Sequence, residues 1–160
     1  MARRREPPEP TGPPVLLSTT PLPGRKLAQL LLDRSGSSAA LAGVVHPEVP
    51  YGAEARFWCP SGHTRIEPSC TCGFYAVEGD RPPPPSLVMA TTCDVELAGV
   101  VVRHPECIRG EHQRVLRVTV DRWCSWCTGS AVAVAPILTS WGGLPAGWCR
   151  AVPVCGPHAR

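Results

Sequence analysis

Asparagine is absent from this 160-residue chain, and lysine occurs once, at Lys26, among sixteen basic residues. So complete a preference for arginine follows the compositional bias of a GC-rich genome and does not mark guanidinium chemistry. Aromatic side chains are scarce, with five Trp, two Tyr and two Phe, which excludes a large aromatic core. No run approaches the roughly 18 apolar residues of a membrane-spanning helix. No segment carries a sustained 3.6-residue apolar period, so a helical bundle is excluded as well. A Gly-rich phosphate loop and a Gly-x-Ser-x-Gly elbow are both missing, which removes the commonest routes to phosphoryl and acyl transfer. The net charge of +3 is too mild to imply nucleic acid by itself.

Proline (20) and glycine (15) are instead abundant, a balance that fits turns and short strands. Residues 1–22 are Pro-rich behind the basic cluster Arg3-Arg4-Arg5, and read as a disordered arm that aids solubility. No apolar signal core follows Met1, so a leader peptide is not expected. Lys26 to Asp33 and Ala39 to Val45 are apolar runs around the turn sequence Asp33-Arg34-Ser35-Gly36-Ser37, which predicts a β-hairpin. Pro82-Pro83-Pro84-Pro85 makes a stiff loop, since proline fixes φ and cannot donate to a ladder. Val95 to Val102 and Val115 to Val120 read as an antiparallel pair joined by a loop over His104 to Gly110, and Ala131 to Leu138 as a further strand. The expected fold is therefore mainly β: a small antiparallel module over residues 23–120 and a zinc-ribbon-like module over 121–160.

Eight residues fall into two groups with metal-site spacing. Cys59-x3-His63-x6-Cys70-x-Cys72 forms the first, and Cys124-x2-Cys127 closing with Cys155-x2-His158 forms the second. Each offers three thiols and one imidazole, a set that tetrahedral zinc takes in closed structural sites with no open position for water or substrate. Cys70 and Cys72 are two residues apart and share a face of extended backbone, with Thr71 turned away. In the second group a hairpin over 128–154 returns Cys155-Gly156-Pro157-His158 to the first knuckle, and Pro157 stiffens the turn. Two structural zinc ions are expected, in a reduced cytoplasmic protein. Disulfides in an exported chain are the alternative, left open by Cys93, Cys107 and Cys149, which have no assigned partner. Cys149 lies close enough to Cys155 to compete for its role.

Enzymatic readings are weaker. Trp123-Cys124-Ser125-Trp126-Cys127 invites a thioredoxin-like nucleophile at Cys124, but that chemistry needs a helix beginning at the motif, and Thr128 to Pro136 is a poor helix. His46-Pro47-Glu48 and His104-Pro105-Glu106 match half of a zinc-deaminase signature, yet residue 123 is Trp where that signature has Pro, and the triplets read as turns. For nucleic acid, Arg103, Arg109, Arg114, Arg117 and Arg122 cluster around one hairpin, diluted by Asp94, Glu96, Glu106, Glu111 and Asp121. Trp123, Trp126, Trp141 and Trp148 lie in or beside the second metal group, where some must pack the module and exposed ones would mark a partner surface.

The segment Cys70-Thr71-Cys72-Gly73-Phe74-Tyr75-Ala76, with Cys59 and His63 upstream, Val95-Glu96-Leu97-Ala98-Gly99-Val100 and Arg109-Gly110-Glu111 downstream, resembles a group of small uncharacterised proteins of actinobacteria and their phages. The likeness covers roughly residues 22–120 and includes the opening Gly24-Arg25 segment; an aromatic often stands in that group where this chain has Ala98. It implies Cys59, His63, Cys70 and Cys72 as a shared ligand set and carries no catalytic residue. The expected function is a non-enzymatic, zinc-stabilised binding or adapter protein with a protein partner, the alternative being a nucleic-acid-binding zinc ribbon and the third a thiol or zinc enzyme.

Overall fold

The computed structural model describes residues 15–44, 46, 48–84, 91–137 and 143–159. The Arg3–Arg5 cluster, Val45, Pro47, Pro85, Leu138 and Trp141 lie outside the described residues. Eight strands appear in chain order: β1 (Val15–Asp33), β2 (Ala39–Ala42), β3 (Glu54–Arg56), β4 (Phe74–Glu78), β5 (Thr91–Arg103), β6 (Ile108–Thr119), β7 (Ala133–Ile137) and β8 (Trp148–Val154). All their pairings are antiparallel. Among the described residues the only helical segment is a 3-10 turn at Gly156–His158, and no helix is long and apolar enough to cross a membrane. The mainly β expectation is met.

Strand β1 pairs with β5 along its first part, from Val15↔Val102 to Ala28↔Thr91. Its last part lies between β2, through Gln29↔Ala42 to Leu32↔Ala39, and β8, through Leu31↔Arg150 to Asp33↔Trp148. β4 bonds to β1 at Gly24 and Arg25 and to β6 at Ile108 to Gly110, while β5 bonds to both β1 and β6. The hydrogen bonding thus runs in a circuit from β1 to β5, β6, β4 and back. Period-2 alternation explains which side chains fill it: Thr91, Cys93, Val95 and Leu97 of β5 are buried, and the residues between them are half-exposed. Ala28, Leu41, Ala76, Cys93, Val95, Leu97, Val101 and Ile108 form the core inside.

The hairpin predicted around residues 33–37 is present as β1 and β2. Its turn is held by the Asp33 carboxylate, which accepts from Ser35 Oγ at 2.9 Å, Ser37 N–H at 2.9 Å and Ser37 Oγ at 3.0 Å. The Ser35 hydroxyl, followed by the Ser37 and Ser38 donors, brings Asp33 down to about 2. The predicted β5–β6 pair is also present, with longer strands than the apolar runs suggested. β6 starts at Ile108, inside the segment read as loop, because Arg109 and Gly110 are required there by their neighbours: a Cβ on Gly110 would lie 2.8 Å from Leu97 Cβ. β1 likewise starts at Val15, within the stretch assigned to the disordered arm, with Pro23 opposite Glu96 in register. Prolines on that stretch argued for disorder locally, and main-chain pairing with β5 overrides them.

Closure of the circuit depends on Gly24. A Cβ there would stand 2.9 Å from both Ala76 Cβ and the Val77 carbonyl oxygen, neither of which can swing away. Gly24→Ala is expected to cost about 1–3 kcal/mol as overpacking at a strand crossing, read as a lower urea midpoint with unchanged slope.

Candidate metal centres

Cys59 and His63 stand on the turn that follows β3. There the Gly62 N–H donates to the Cys59 carbonyl at 3.0 Å, and Gly62 has φ +79°. Cys70 and Cys72 arrive just before β4, after a second turn in which Cys70 N–H donates to Glu67 O at 3.0 Å. Gly73 then bends the chain at φ +111°, where a Cβ would press to 2.7 Å against Ile66 Cδ1. The stretch between Phe57 and Gly73 contains no strand or helix, so its shape must come from side chains. Ile66 packs on Val100 and Val102 with Phe57 beside them. The buried Glu111 carboxylate accepts from the N–H groups of Ile66 at 3.2 Å and Val100 at 3.0 Å.

Arg109 is the largest fully buried side chain. Its guanidinium donates to three carbonyls of this loop, Cys70, Cys72 (3.1 Å) and Glu67 (3.0 Å), and lies 5.7 Å from the Tyr75 ring centroid. These carbonyls would otherwise face the interior unpaired. Arg109 therefore sets the position of two of the four ligand residues through their backbone.

The second group is built differently. Cys124 N–H donates to Gly129 O at 2.9 Å, and an isolated bridge joins Trp123 to Ser130, which closes a tight knuckle. Inside it Trp126 N–H and Gly129 N–H each point at a sulfur, Cys124 Sγ and Cys127 Sγ, at 3.4 Å. The β7–β8 hairpin, five pairs from Ala133↔Val154 to Ile137↔Arg150, returns the chain to the knuckle. The 3-10 turn over Gly156–His158 then delivers Cys155 and His158, with His158 N–H donating to Cys155 O at 3.0 Å.

All eight residues singled out in the sequence are brought together in two sets of four. Within each set every ligand atom lies within 4.8 Å of the others. Sulfur at about 2.3 Å and nitrogen at about 2.0–2.1 Å from a tetrahedral ion stand about 3.8 Å (S–S) and about 3.5 Å (S–N) apart. In the first set Cys59 Sγ is 3.7 Å from Cys70 Sγ and 3.5 Å from His63 Nδ1. In the second, Cys127 Sγ to Cys155 Sγ is 3.6 Å, and His158 Nδ1 lies 3.4 Å from Cys124 Sγ and 3.2 Å from Cys155 Sγ. None of the nine cysteines forms a disulfide. The two groups can each hold one metal ion. His63 presents Nδ1 inward, and its Nε2 meets Glu67 Oε2 at 3.4 Å, the outward partner that fixes a ligating imidazole.

The thiols respond to this crowding. Burial resists ionisation of Cys59, but the His63 and Ser61 N–H groups and the Cys70 and Cys72 thiols outweigh it and bring Cys59 down to about 6. Burial and the neighbouring sulfurs push Cys72 up to about 12. Cys124 also falls to about 6: burial is overcome by the N–H groups of Trp126 and Cys155 and by His158, while burial raises Cys155. Each set thus concentrates one thiolate, the first foothold for a cation.

The remaining candidates lie apart from both sets. Cys149 is buried in β8 opposite Leu32, and Cys93 has no exposure in the main core. Among the described residues His46 meets Glu48, at 3.1 Å on the surface, and no α-helix begins at the Cys124–Cys127 knuckle. Sequence reading placed Arg109 at the end of a loop and missed the bracing roles of Arg109 and Glu111, because nothing in their immediate sequence neighbours calls for a buried ion at either position. No protein-family model, curated protein or solved structure matches the chain.

Arg109→Leu leaves three interior carbonyls unpaired and is expected to cost about 3 kcal/mol or more. In titration with Co2+, followed by the sulfur-to-cobalt charge-transfer band, it should abolish the first set's uptake and leave the second's. Proton release supplies a separate check. A metal must displace any proton its ligands carry, and Cys59 and Cys124 begin to bind protons as pH falls through about 6. Release per ion should rise by at least one proton, and affinity weaken, across that pH; calorimetry in buffers of different ionisation enthalpy measures both.

Proposed function

We propose that this chain is a non-enzymatic binding protein whose two Cys3His sets hold structural zinc and whose second knuckle presents tryptophan to a protein partner. Soft thiolates with one imidazole at tetrahedral separations favour zinc over the hard cations, which take oxygen ligands. Four protein ligands leave no coordination site for substrate, so the ions act by shaping the loops. Thiolate-held zinc also fits a reducing compartment, and we place the protein in the cytoplasm on that ground.

The observation that carries the reading is the exposure of Trp126 (59%) and Trp123 (48%), which flank Cys124 on a loop with almost no other regular structure. Val132, beside them in sequence, is 73% exposed. A large indole kept in water on a rigidly bonded turn is the composition of an interface anchor. The alternative of nucleic acid is served by Arg122, whose guanidinium lies 4.9 Å from the Trp123 ring. Of the other arginines of the hairpin, Arg114 pairs with Glu96 and Arg103 with Glu78, while Arg117 lies 3.9 Å from Asp94, which Arg25 of β1 already meets. Among the described residues these pairings interrupt a phosphate-tracking stripe, which is why we favour protein as the partner. An open groove of about 400 Å³ on β3, β5 and β6 mixes Arg56, His112 and Arg114 with Glu54 and Glu96 and contains none of the eight ligands, so it supplies no catalytic centre for the metals.

Trp123→Ala with Trp126→Ala is the test. The double variant should keep two zinc ions per chain by elemental analysis, since the knuckle's N–H···S bonds are backbone, and should lose about 2 kcal/mol or more of partner affinity. Partners captured equally by both proteins would sink the surface. Binding of single-stranded oligonucleotides with a steep salt dependence would favour the nucleic-acid reading instead.

A further inference from the structure

The outward faces of β3, β6 and β5 meet in the open groove of about 400 Å³, within the range of small-molecule sites (about 300–1,000 Å³). Its walls are two cross-strand rows. Glu54, Arg114 and Glu96 stand side by side in the first, and Arg56, His112 and Ala98 in the second. Glu96 and Ala98 point away from the core because their neighbours on β5, Val95 and Leu97, are buried in it. The second row ends in a methyl group, and beyond it the ladder is interrupted. β1 pairs Leu22 with Leu97 and Ser18 with Gly99, so it leaves register opposite Ala98. Pro21, exposed on that irregular stretch, forms the far rim. A hollow with an apolar floor therefore opens at Ala98.

The two rows use their charges differently. In the first, Arg114 donates to Glu96 Oε2 from Nε at 3.0 Å and from Nη2 at 2.5 Å. In the second, Arg56 Nε donates to His112 Nδ1 at 3.4 Å, which leaves the ring proton on Nε2. The imidazole fills space that a side chain at Gly99 would need: a Cβ there would lie 2.7 Å from His112 Cδ2, and Gly99 has φ +81°. Among the described residues Arg56 forms no ion pair. Its guanidinium and the imidazole N–H thus line the groove as donors with no anion to receive them.

We propose that the groove binds a small aliphatic monocarboxylate, its head on Arg56 and His112 and its chain over Ala98 and Pro21. A carboxylate offers two oxygens in one plane, one for the guanidinium and one for the imidazole N–H, and charge assistance strengthens both bonds. Charge also limits the ligand. Arg56 and Arg114 balance Glu54 and Glu96, so a single negative charge is accommodated, while a second would face the two glutamates. A sulfate or phosphate dianion, or a nucleic acid strand, is disfavoured for that reason. The apolar floor selects a body with methylene groups, because covering Ala98 and Pro21 removes them from water. The site shares no residue with either metal set and stands whether or not those sets hold zinc.

The test is a 1H–15N NMR titration of the intact reduced protein with sodium butanoate, in phosphate-free buffer and against sodium chloride at equal ionic strength. Backbone amides of Ala98, His112 and Arg56 should shift and saturate, with Kd on the order of 1 mM, as suits a ligand of few atoms in an open groove. Acetate should bind several-fold more weakly for want of a chain, and sulfate should not saturate. Arg56→Gln, at an exposed position, should keep the dispersed spectrum and weaken butanoate on the order of tenfold. Ala98→Leu fills the hollow and should abolish the butanoate shifts. Shifts equal to those in chloride, sulfate binding as tightly as butanoate, or unchanged affinity in Arg56→Gln each overturn the proposal. Wild-type binding by Ala98→Leu would remove the chain from the hollow and overturn it equally.

Discussion

A buried backbone N–H or C=O must find a partner, and in this fold most of that requirement is met through one strand. β1 is nineteen residues long and lies between neighbours for much of its length, β5 with β4 earlier, β2 with β8 later. The strand circuit inside and the hairpin that carries the second metal set therefore share a single continuous element. Leu31 and Leu32 of β1 are buried, as are Cys149, Val152 and Val154 of β8, so the C-terminal segment is joined to the rest by both main-chain pairing and apolar contact. Displacing β1 would unpair four strands at once, which makes cooperative unfolding the natural consequence.

Where pairing ends, other forces take over. The loop from Phe57 to Gly73 has apolar contacts from Ile66 and Phe57 but no ladder. Arg109 and Glu111 compensate from β6, one donating to loop carbonyls and the other accepting from loop N–H groups. They stand two residues apart on one strand, so both point to the same side. With a divalent ion bound, three thiolates would leave a net −1, and the Arg109 guanidinium, tied to the carbonyls of Cys70 and Cys72, would stand beside the loop that carries it.

The fold was legible wherever a residue's neighbours in sequence determine its state. Asp33 to Ser37 makes its own turn from side-chain acceptors and a glycine, and alternation along Thr91 to Leu97 declares an inward face. The eight ligands were legible for a related reason, since short spacings on turns constrain where two ligand atoms can go. What escaped is what depends on distant partners. Arg109-Gly110 looks like a turn until β4 and β5 are placed on either side of it. Pro23 looks like a coil until β5 supplies the pairing. Lys26 looks like the charged end of a surface run until Tyr51, Phe74 and Gln113 arrive from three other elements.

The two metal sets also differ in how they are embedded, and the difference bears on their roles. In the first, Cys59 and Cys72 are buried, His63 and Cys70 are half-buried, and a buried arginine and glutamate brace the loop. In the second, Cys127 and His158 are exposed, and the bracing comes from backbone N–H groups pointed at sulfur. A metal in the first set would be enclosed by the fold and would substitute for missing core in a loop without strands. A metal in the second would lie at the surface, where the turn it fixes carries the two most conspicuous indoles of the hairpin. Rigidity at a surface loop lowers the entropy lost when a partner orders it. The two sets are thus embedded differently, the first braced by buried side chains of β6 and the second by backbone N–H groups of its own knuckle.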